Sequence, residues 1–363
     1  MRIRDKIGYK ITTFFAYMQI FLYLCSQNQY KMKITSDISN DLVALLARYD
    51  LDQRVVVADE AMADKTDFPT FVIRGGESAK TLETVQQIWD FLFEHDITRR
   101  GVIICLGGGV TTDLGGFAAA TYKRGIDYIN IPTTLLAMVD ASTGGKTGFN
   151  YRGLKNAIGA FYEPVETLVY PHWLKALPPQ EFLSGFAEML KTGLLTKKHN
   201  LWSRLLQYDL EKMDIEELTP LIADCIAIKQ DVIEVDPYEK MGWRKVLNFG
   251  HTFGHALEEV TGMRHGYAVL YGLIAELYLS VTLWGCPREP LQQLTQLMLQ
   301  YYGRPECNCK DRKQLVQLMQ QDKKNKHAGD INCTLLREVG NPVLDQTISE
   351  ERAEEAWEYL FSL

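Results

Sequence analysis

The run Gly101-Val-Ile-Ile-Cys-Leu106 is apolar without a polar break and stops at three consecutive glycines, Gly107, Gly108 and Gly109. A strand with one face in water alternates polar and apolar side chains. A continuous apolar run is instead buried on both faces, as in a parallel sheet covered by helices. The neighbouring segments agree. Leu42 to Ala47 suggests a helix, Arg54 to Ala58 and Phe71 to Ile73 read as short buried strands, and Thr81 to Glu94 places Leu82, Val85, Ile88 and Leu92 on one helical face. Tyr128 to Ile131 and Leu168 to Tyr170 continue the strands. Strand alternating with helix is the doubly wound α/β pattern, which binds ligands beyond the carboxyl ends of its strands.

The glycines follow the most apolar strand directly. They let the backbone turn tightly, and a helix starting after them aims unpaired N–H groups at a phosphate. The spacing is not G-x-G-x-x-G, so the dinucleotide motif does not apply as written; strand, turn and helix in that order point to a diphosphate site. Further on, Asp140 to Asn150 combines hydroxyls, glycines and Lys146 in a segment of turn composition. After Leu177-Pro178-Pro179-Gln180 the periodicity turns helical almost throughout, as in Phe186–Leu195, Leu221–Val232, His251–Val260, Ala268–Leu283 and Leu291–Tyr301. The expected organisation is an α/β domain over residues 32–178 and an all-α domain over 179–363.

Residues 1–31 are read as an extension, with Met32 as the working start. Met1 to Lys10 is basic and Ile11 to Cys25 largely apolar, superficially like a signal peptide, but the polar Ser26-Gln27-Asn28-Gln29 supplies no cleavage site. A run of fifteen residues is also too short to span a bilayer, which takes about 20. The net charge of −7 argues against a nucleic-acid surface. The seven cysteines, at 25, 105, 225, 286, 307, 309 and 333, form no C-x-x-C pair and read as reduced thiols of a cytoplasmic protein.

Lys245 to Val269 contains three of the chain's seven histidines. His251 and His255 stand four apart and share a helical face, while His265 lies beyond a break at Thr261-Gly262. Zinc peptidases need Glu directly after the first histidine, and Thr252 occupies that place. Such a pair is as readily a packed, hydrogen-bonded feature as a metal site. Glu188, three residues before Lys191 in an otherwise apolar helix, needs a strong partner, either that lysine or a metal. With His251 and His265 it would complete the two-histidine, one-carboxylate set of catalytic zinc. Lys146, Lys155, Lys191, Lys229, Arg244 and Lys323-Lys324 are either solvated surface charges or a local basic patch suited to a small molecule bearing phosphate and carboxylate.

Taken together, GGESAK, GGGVTTDLGGFAAATYKRGI, IPTTLLAMVDASTGGKTGFN, KNAIGAF, LKALPPQEF, GFAEMLKTG, IKQDV, LNFGHTFGHA, RHGYAV and DKKNK, in order from Gly75 to about Gly340, resemble the sugar phosphate cyclases, most closely the 3-dehydroquinate synthase family. The resemblance implies a Rossmann-like α/β domain, a helical C-terminal domain and a homodimer with the active site between the domains. It implies NAD at Glu77, Lys80, Gly108, Gly109, Val110, Asp113, Thr133 and Thr134, with Lys146 and Lys155 nearby. The implied ligands of a divalent metal, zinc or cobalt, are Glu188, His251 and His265. Substrate contacts fall on Asp140, Lys146, Asn156, Lys191, Lys229, Arg244, Asn248, His255 and Lys324, and Arg124 matches an arginine lent to the neighbouring subunit. His255, Lys146, Lys191, Arg244 and Asn248 are the implied catalytic set. Two positions depart from the family pattern: Tyr267 replaces a common Glu and Ala176 a common Thr. The implied reaction converts 3-deoxy-arabino-heptulosonate 7-phosphate into 3-dehydroquinate and phosphate, with NAD used transiently. Rival expectations are a valiolone- or inosose-forming cyclase, against which the intact Arg244, Asn248 and His255 speak, and a metal-dependent polyol dehydrogenase of the same fold, which releases NADH.

Overall fold

The computed structural model describes residues 32–307, 311–321 and 329–363; the extension, Cys25, Cys309 and the Lys323-Lys324 pair lie outside the described residues. The first half is a six-stranded parallel sheet with an early helix, α1 (Ile38–Leu46). Its strands are β1 (Met32–Ile34), β2 (Arg54–Asp59), β3 (Thr70–Ile73), β4 (Val102–Gly107), β5 (Asp127–Pro132) and β8 (Glu166–Val169), in the order β1-β8-β5-β4-β2-β3. Successive side chains leave opposite faces of a strand. Val55, Val57, Ile103 and Cys105 therefore pack on one side, with Ile88 of α2 (Leu82–Glu94) and Leu114 of α3 (Gly109–Thr121). Val56, Ala58, Ile104 and Leu106 pack on the other, with Leu46 of α1. Both faces are covered, which is why β4 carries no polar alternation. The Thr81 hydroxyl caps α2 by accepting from the Thr84 N–H.

Between β5 and β8 the chain makes an antiparallel hairpin, β6 (Lys146–Tyr151) and β7 (Leu154–Phe161). Its two-residue turn, Arg152-Gly153, has φ of +51° and +78°, the pair of positive values that a type I′ turn requires. The segment read as a turn-rich loop is thus half strand. Its glycines are there because two backbones meet: a Cβ on Gly148 would lie 2.4 Å from the Ile158 carbonyl oxygen.

The second half comprises α4 (Pro179–Leu194), α5 (Leu201–Gln207), α6 (Ile215–Val235), α7 (His251–Thr261), α8 (His265–Trp284), α9 (Glu289–Leu297), α10 (Asp311–Gln321) and α11 (Glu350–Ser362). It also contains a hairpin absent from the helical expectation, β9 (Ile331–Glu338) with β10 (Asn341–Ile348). Six consecutive residues of β9 are buried, and a short buried run cannot be told from a helical segment by periodicity. By length and composition α8 could cross a membrane, but most of it is buried inside the fold, making it the central helix of the core.

Two glycines set how closely α8 is approached. A Cβ on Gly272 would lie 1.9 Å from the Gly250 carbonyl oxygen just before α7, and one on Gly266 would lie 1.9 Å from the Ser184 carbonyl oxygen of α4. Neither carbonyl belongs to a side chain that can swing away. Gly272→Ala should therefore force the helices apart and lower stability by about 1–3 kcal/mol, read from the denaturant midpoint. An unchanged midpoint would contradict this packing.

Candidate active site

The carboxyl ends of the parallel strands form one rim of the site. At the end of β2 the Asp59 carboxylate accepts the Gly108 N–H at 3.0 Å, and burial raises its pKa despite backbone hydrogen bonds from Gly108 and Met62. Gly109 opens α3, whose N-terminus has no side-chain cap. A Cβ on Gly109 would lie 3.2 Å from that of Ala141, so the loop passes close under the next segment. One turn along α3, Asp113 pairs with the buried Lys80 ammonium. The Glu77 carboxylate accepts from Asn150 Nδ2 at 2.8 Å, and the Lys80 carbonyl accepts the Asn150 N–H at 2.9 Å. Beyond β5, the Thr133 N–H donates to the Gly107 carbonyl at 3.0 Å, and the Thr134 hydroxyl accepts the Ala137 N–H at 3.2 Å. Glu77, Lys80, Gly108, Gly109, Val110, Asp113, Thr133 and Thr134 thus lie along one edge, whereas Lys146 and Lys155 of the hairpin pair with Glu239 and Glu258. The uncapped helix start and glycine-lined cradle suit a dinucleotide diphosphate.

Facing this rim, α4, α7 and α8 bring Glu188, His251 and His265 together, their nearest ligand atoms all within 4.8 Å of one another. Neither Glu188 oxygen makes a well-directed hydrogen bond among the described residues. Oε2 lies against the Lys191 ammonium, while Oε1 is 3.6 Å from His251 Nε2 and 3.4 Å from His265 Nε2. The other ring nitrogens are anchored: His251 Nδ1 lies 3.1 Å from the Phe249 carbonyl oxygen and His265 Nδ1 3.2 Å from Glu258 Oε2. Ligands about 2.1 Å from a tetrahedral ion are about 3.4 Å apart, so the donor set fits a divalent cation.

Lysines surround this group. Lys229 donates to Asp140 Oδ1 at 2.7 Å, and Lys191 stands 3.9 Å from the same oxygen. Burial raises the Asp140 carboxyl pKa, but the Lys229 and Lys191 charges outweigh it and hold the group well below the usual carboxylate range. Lys191 is shifted up because Glu188 and Asp140 overcome its burial, whereas burial prevails at Lys229 and lowers it. Arg244 is almost fully buried, with Nη1 on the Pro237 carbonyl at 2.8 Å and Nη2 on the Gly144 carbonyl at 3.1 Å. Lys146 reaches Glu239 at 2.6 Å, and Lys155 reaches Glu258 at 2.6 Å. The rings of His255 and His251 meet edge to face with centroids 5.2 Å apart.

Asn248 lines a small cavity with Lys245, Asn332 and Asp345, against the β9–β10 hairpin. Asn156 has φ of +48°, and its N–H donates to Asn150 Oδ1 at 2.8 Å. Arg124 is exposed beyond the C-terminus of α3, about 20 Å along that helix from the glycine loop. Lys324 lies outside the described residues. Sequence reasoning passed over Asp59, Glu239 and Glu258. Glu258 was within reach: it follows His251 by seven residues and His255 by three, so all three share a helical face.

The N-terminal model of the family described as 3-dehydroquinate synthase matches residues 70–184, and the C-terminal model matches 185–325. A 3-dehydroquinate synthase of Parabacteroides distasonis is 39% identical over 348 residues, covering 92% of this chain and 98% of that one. The chain belongs to the 3-dehydroquinate synthase family. Among solved structures, ValA, a 2-epi-5-epi-valiolone synthase from Streptomyces hygroscopicus subsp. jinggangensis with NAD+ and Zn2+ bound, aligns with a TM-score of 0.80 at 25% identity, covering 92% of this chain and 97% of that one. A 2-deoxy-scyllo-inosose synthase complex shares the fold, with a TM-score of 0.77 at 24% identity over 89% of this chain and 95% of that one. Of the two departures from the 3-dehydroquinate synthase pattern, Tyr267 packs edge to face on Tyr302 with centroids 4.9 Å apart, and Ala176 is exposed.

Burial lowers the His265 pKa, but the neighbouring Glu188 and Glu258 carboxylates prevail and raise it to about 9. The metal-free ring is then protonated at neutral pH, whereas a cation needs its lone pair. Metal affinity should rise with pH, about tenfold per unit for one displaced proton, and level off above about pH 9. Chelator competition across that range measures it; a flat profile would mean that binding displaces no proton from His265.

Proposed function

We propose that the chain converts 3-deoxy-arabino-heptulosonate 7-phosphate into 3-dehydroquinate and phosphate, with Glu188, His251 and His265 holding a divalent ion, zinc or cobalt, and the glycine loop seating NAD. One observation carries the proposal: a buried carboxylate oxygen stands 3.6 and 3.4 Å from two imidazole Nε2 atoms whose Nδ1 sides are already anchored. When bound, the ion supplies Lewis-acid polarisation of a substrate hydroxyl and NAD supplies a transient hydride acceptor.

The protein's part is to place charge and move protons. Asp140 holds Lys229 and Lys191 in line beside Glu188, so two ammonium groups are fixed where a substrate carboxylate or phosphate would bind. The buried Nε of Arg244 makes no hydrogen bond among the described residues, which favours an anionic ligand there. Lys146, Asn156 and Lys324 complete the set that binds phosphate or carboxylate, and Asn248 holds the substrate beside Arg244. His255, whose ring adjoins His251, relays the hydroxyl proton. Glu77, Lys80, Gly108, Gly109, Val110, Asp113, Thr133, Thr134 and Lys155 line the NAD seat. The α/β unit over 32–178 then binds NAD, and the helical unit over 179–363 binds metal and substrate.

The active form is proposed to be a cytoplasmic homodimer. Arg124, held at φ +67° beyond the far end of α3, is too distant for its own site, and its strained backbone favours a role in the neighbour's. The buried Cys105, Cys225 and Cys286 are reduced, as in a cytoplasmic protein.

With heptulosonate phosphate, NAD+ and Zn2+, phosphate should appear in step with substrate loss while NADH absorbance stays flat. Accumulating NADH would indicate a polyol dehydrogenase. His251→Ala and His265→Ala should each lose bound metal and activity together; full metal occupancy in either, by atomic absorption, would refute the ligand assignment.

A further inference from the structure

Glu258 lies outside every ligand and substrate role above, yet it touches two of the residues that carry them. Its side chain is only 8% exposed, so its charge needs partners. It has two, one on each oxygen: Oε1 accepts from Lys155 Nζ at 2.6 Å, and Oε2 lies 3.2 Å from His265 Nδ1. The two ligand histidines are consequently held in different ways. His251 leans on a backbone carbonyl just ahead of its own helix, whereas His265 leans on a carboxylate from another helix. His265 is also the first residue of α8, three residues after Gly262 at φ +68°, and its side chain is 29% exposed, against 11% for His251. Its ring packs against those of His251 and His255, with centroids 5.4 and 6.1 Å apart, but the polar contacts that orient it are those to Glu188 and Glu258.

An imidazole can offer Nε2 to a cation only when the remaining proton sits on Nδ1, and a carboxylate at Nδ1 selects that tautomer. We infer that Glu258 is the positioning residue of the metal centre, orienting His265 so that Nε2 faces Glu188. Through Lys155 it also ties this imidazole to the β6–β7 hairpin, whose β7 strand is exposed along nearly its whole length. A shift of the hairpin on ligand binding would then be felt at a metal ligand. The inference rests on the assignment of Glu188, His251 and His265 as ligands.

The test compares metal binding by the full chain and its Glu258→Ala, Glu258→Gln, Lys155→Met and His251→Ala variants, using Zn2+ competition against a chelator and the visible spectrum of the Co2+-loaded protein. Glu258→Ala should weaken Zn2+ binding about 10–100-fold and alter the Co2+ spectrum. Glu258→Gln keeps a neutral acceptor for Nδ1 and should recover most of the affinity, and Lys155→Met should retain the wild-type spectrum. Wild-type affinity in Glu258→Ala overturns the inference. So does equal loss in Glu258→Ala, Glu258→Gln and Lys155→Met, because Glu258 would then act only through its ion pair. Wild-type affinity in His251→Ala instead removes the metal assignment itself, and this inference with it.

Discussion

A carboxylate with 1% side-chain exposure, set in an otherwise apolar helix, is a costly feature of this fold. Removing an ion from water costs several kcal/mol even after the protein relaxes, so Glu188 can persist only if other charges come to it. Lys191 of the same helix meets one oxygen, and His251 and His265 from two other helices face the second. Lys191 in turn approaches Asp140, and Asp140 binds Lys229. Asp140 belongs to the α/β half and the others to the helical half. The alternating charges thus connect the two halves.

This arrangement requires helices that come close without clashing. Gly266 and Gly272 let α8 approach Ser184 and Gly250 at backbone distance. The start of α7 is fixed by another buried carboxylate: Glu276 of α8, 0% exposed, accepts the Gly250 N–H at 2.7 Å and the Thr252 N–H at 3.3 Å. Capping a helix start with a carboxylate satisfies its N–H groups and complements its dipole. His251 lies between those two residues, so α8 sets the direction of one proposed ligand through Glu276 and supplies another as its own first residue. The proposed metal centre is a product of α7–α8 packing as much as of its three donors.

How legible all this was depended on the range of the forces involved. The β4 strand and its glycine turn were readable because burial on both faces leaves an unbroken apolar run, and α2 because one-sided burial leaves a helical period. The β6–β7 hairpin was not, because its strands carry the glycines and hydroxyls of a loop: Gly148 and Gly159 lie directly opposite each other across the ladder. The β9–β10 hairpin was hidden for the opposite reason, its first strand being buried without alternation. Among the site residues, the four-residue spacing of His251 and His255 is legible in the sequence. It joins a proposed ligand to a proposed proton relay, and the residue on the same face that contacts His265 is Glu258.

The sequence alone determined the strand and helix alternation, the class of the fold, the family and the residue types of the site, because these follow from local periodicity, turn chemistry and motif. Tertiary structure alone decided which charges meet. Asp140 and Lys229 are far apart in the chain, as are Lys155 and Glu258, and no motif in the sequence pairs them. Side chains so distant in sequence leave no spacing to read; only the cost of burying their charges apart brings them together.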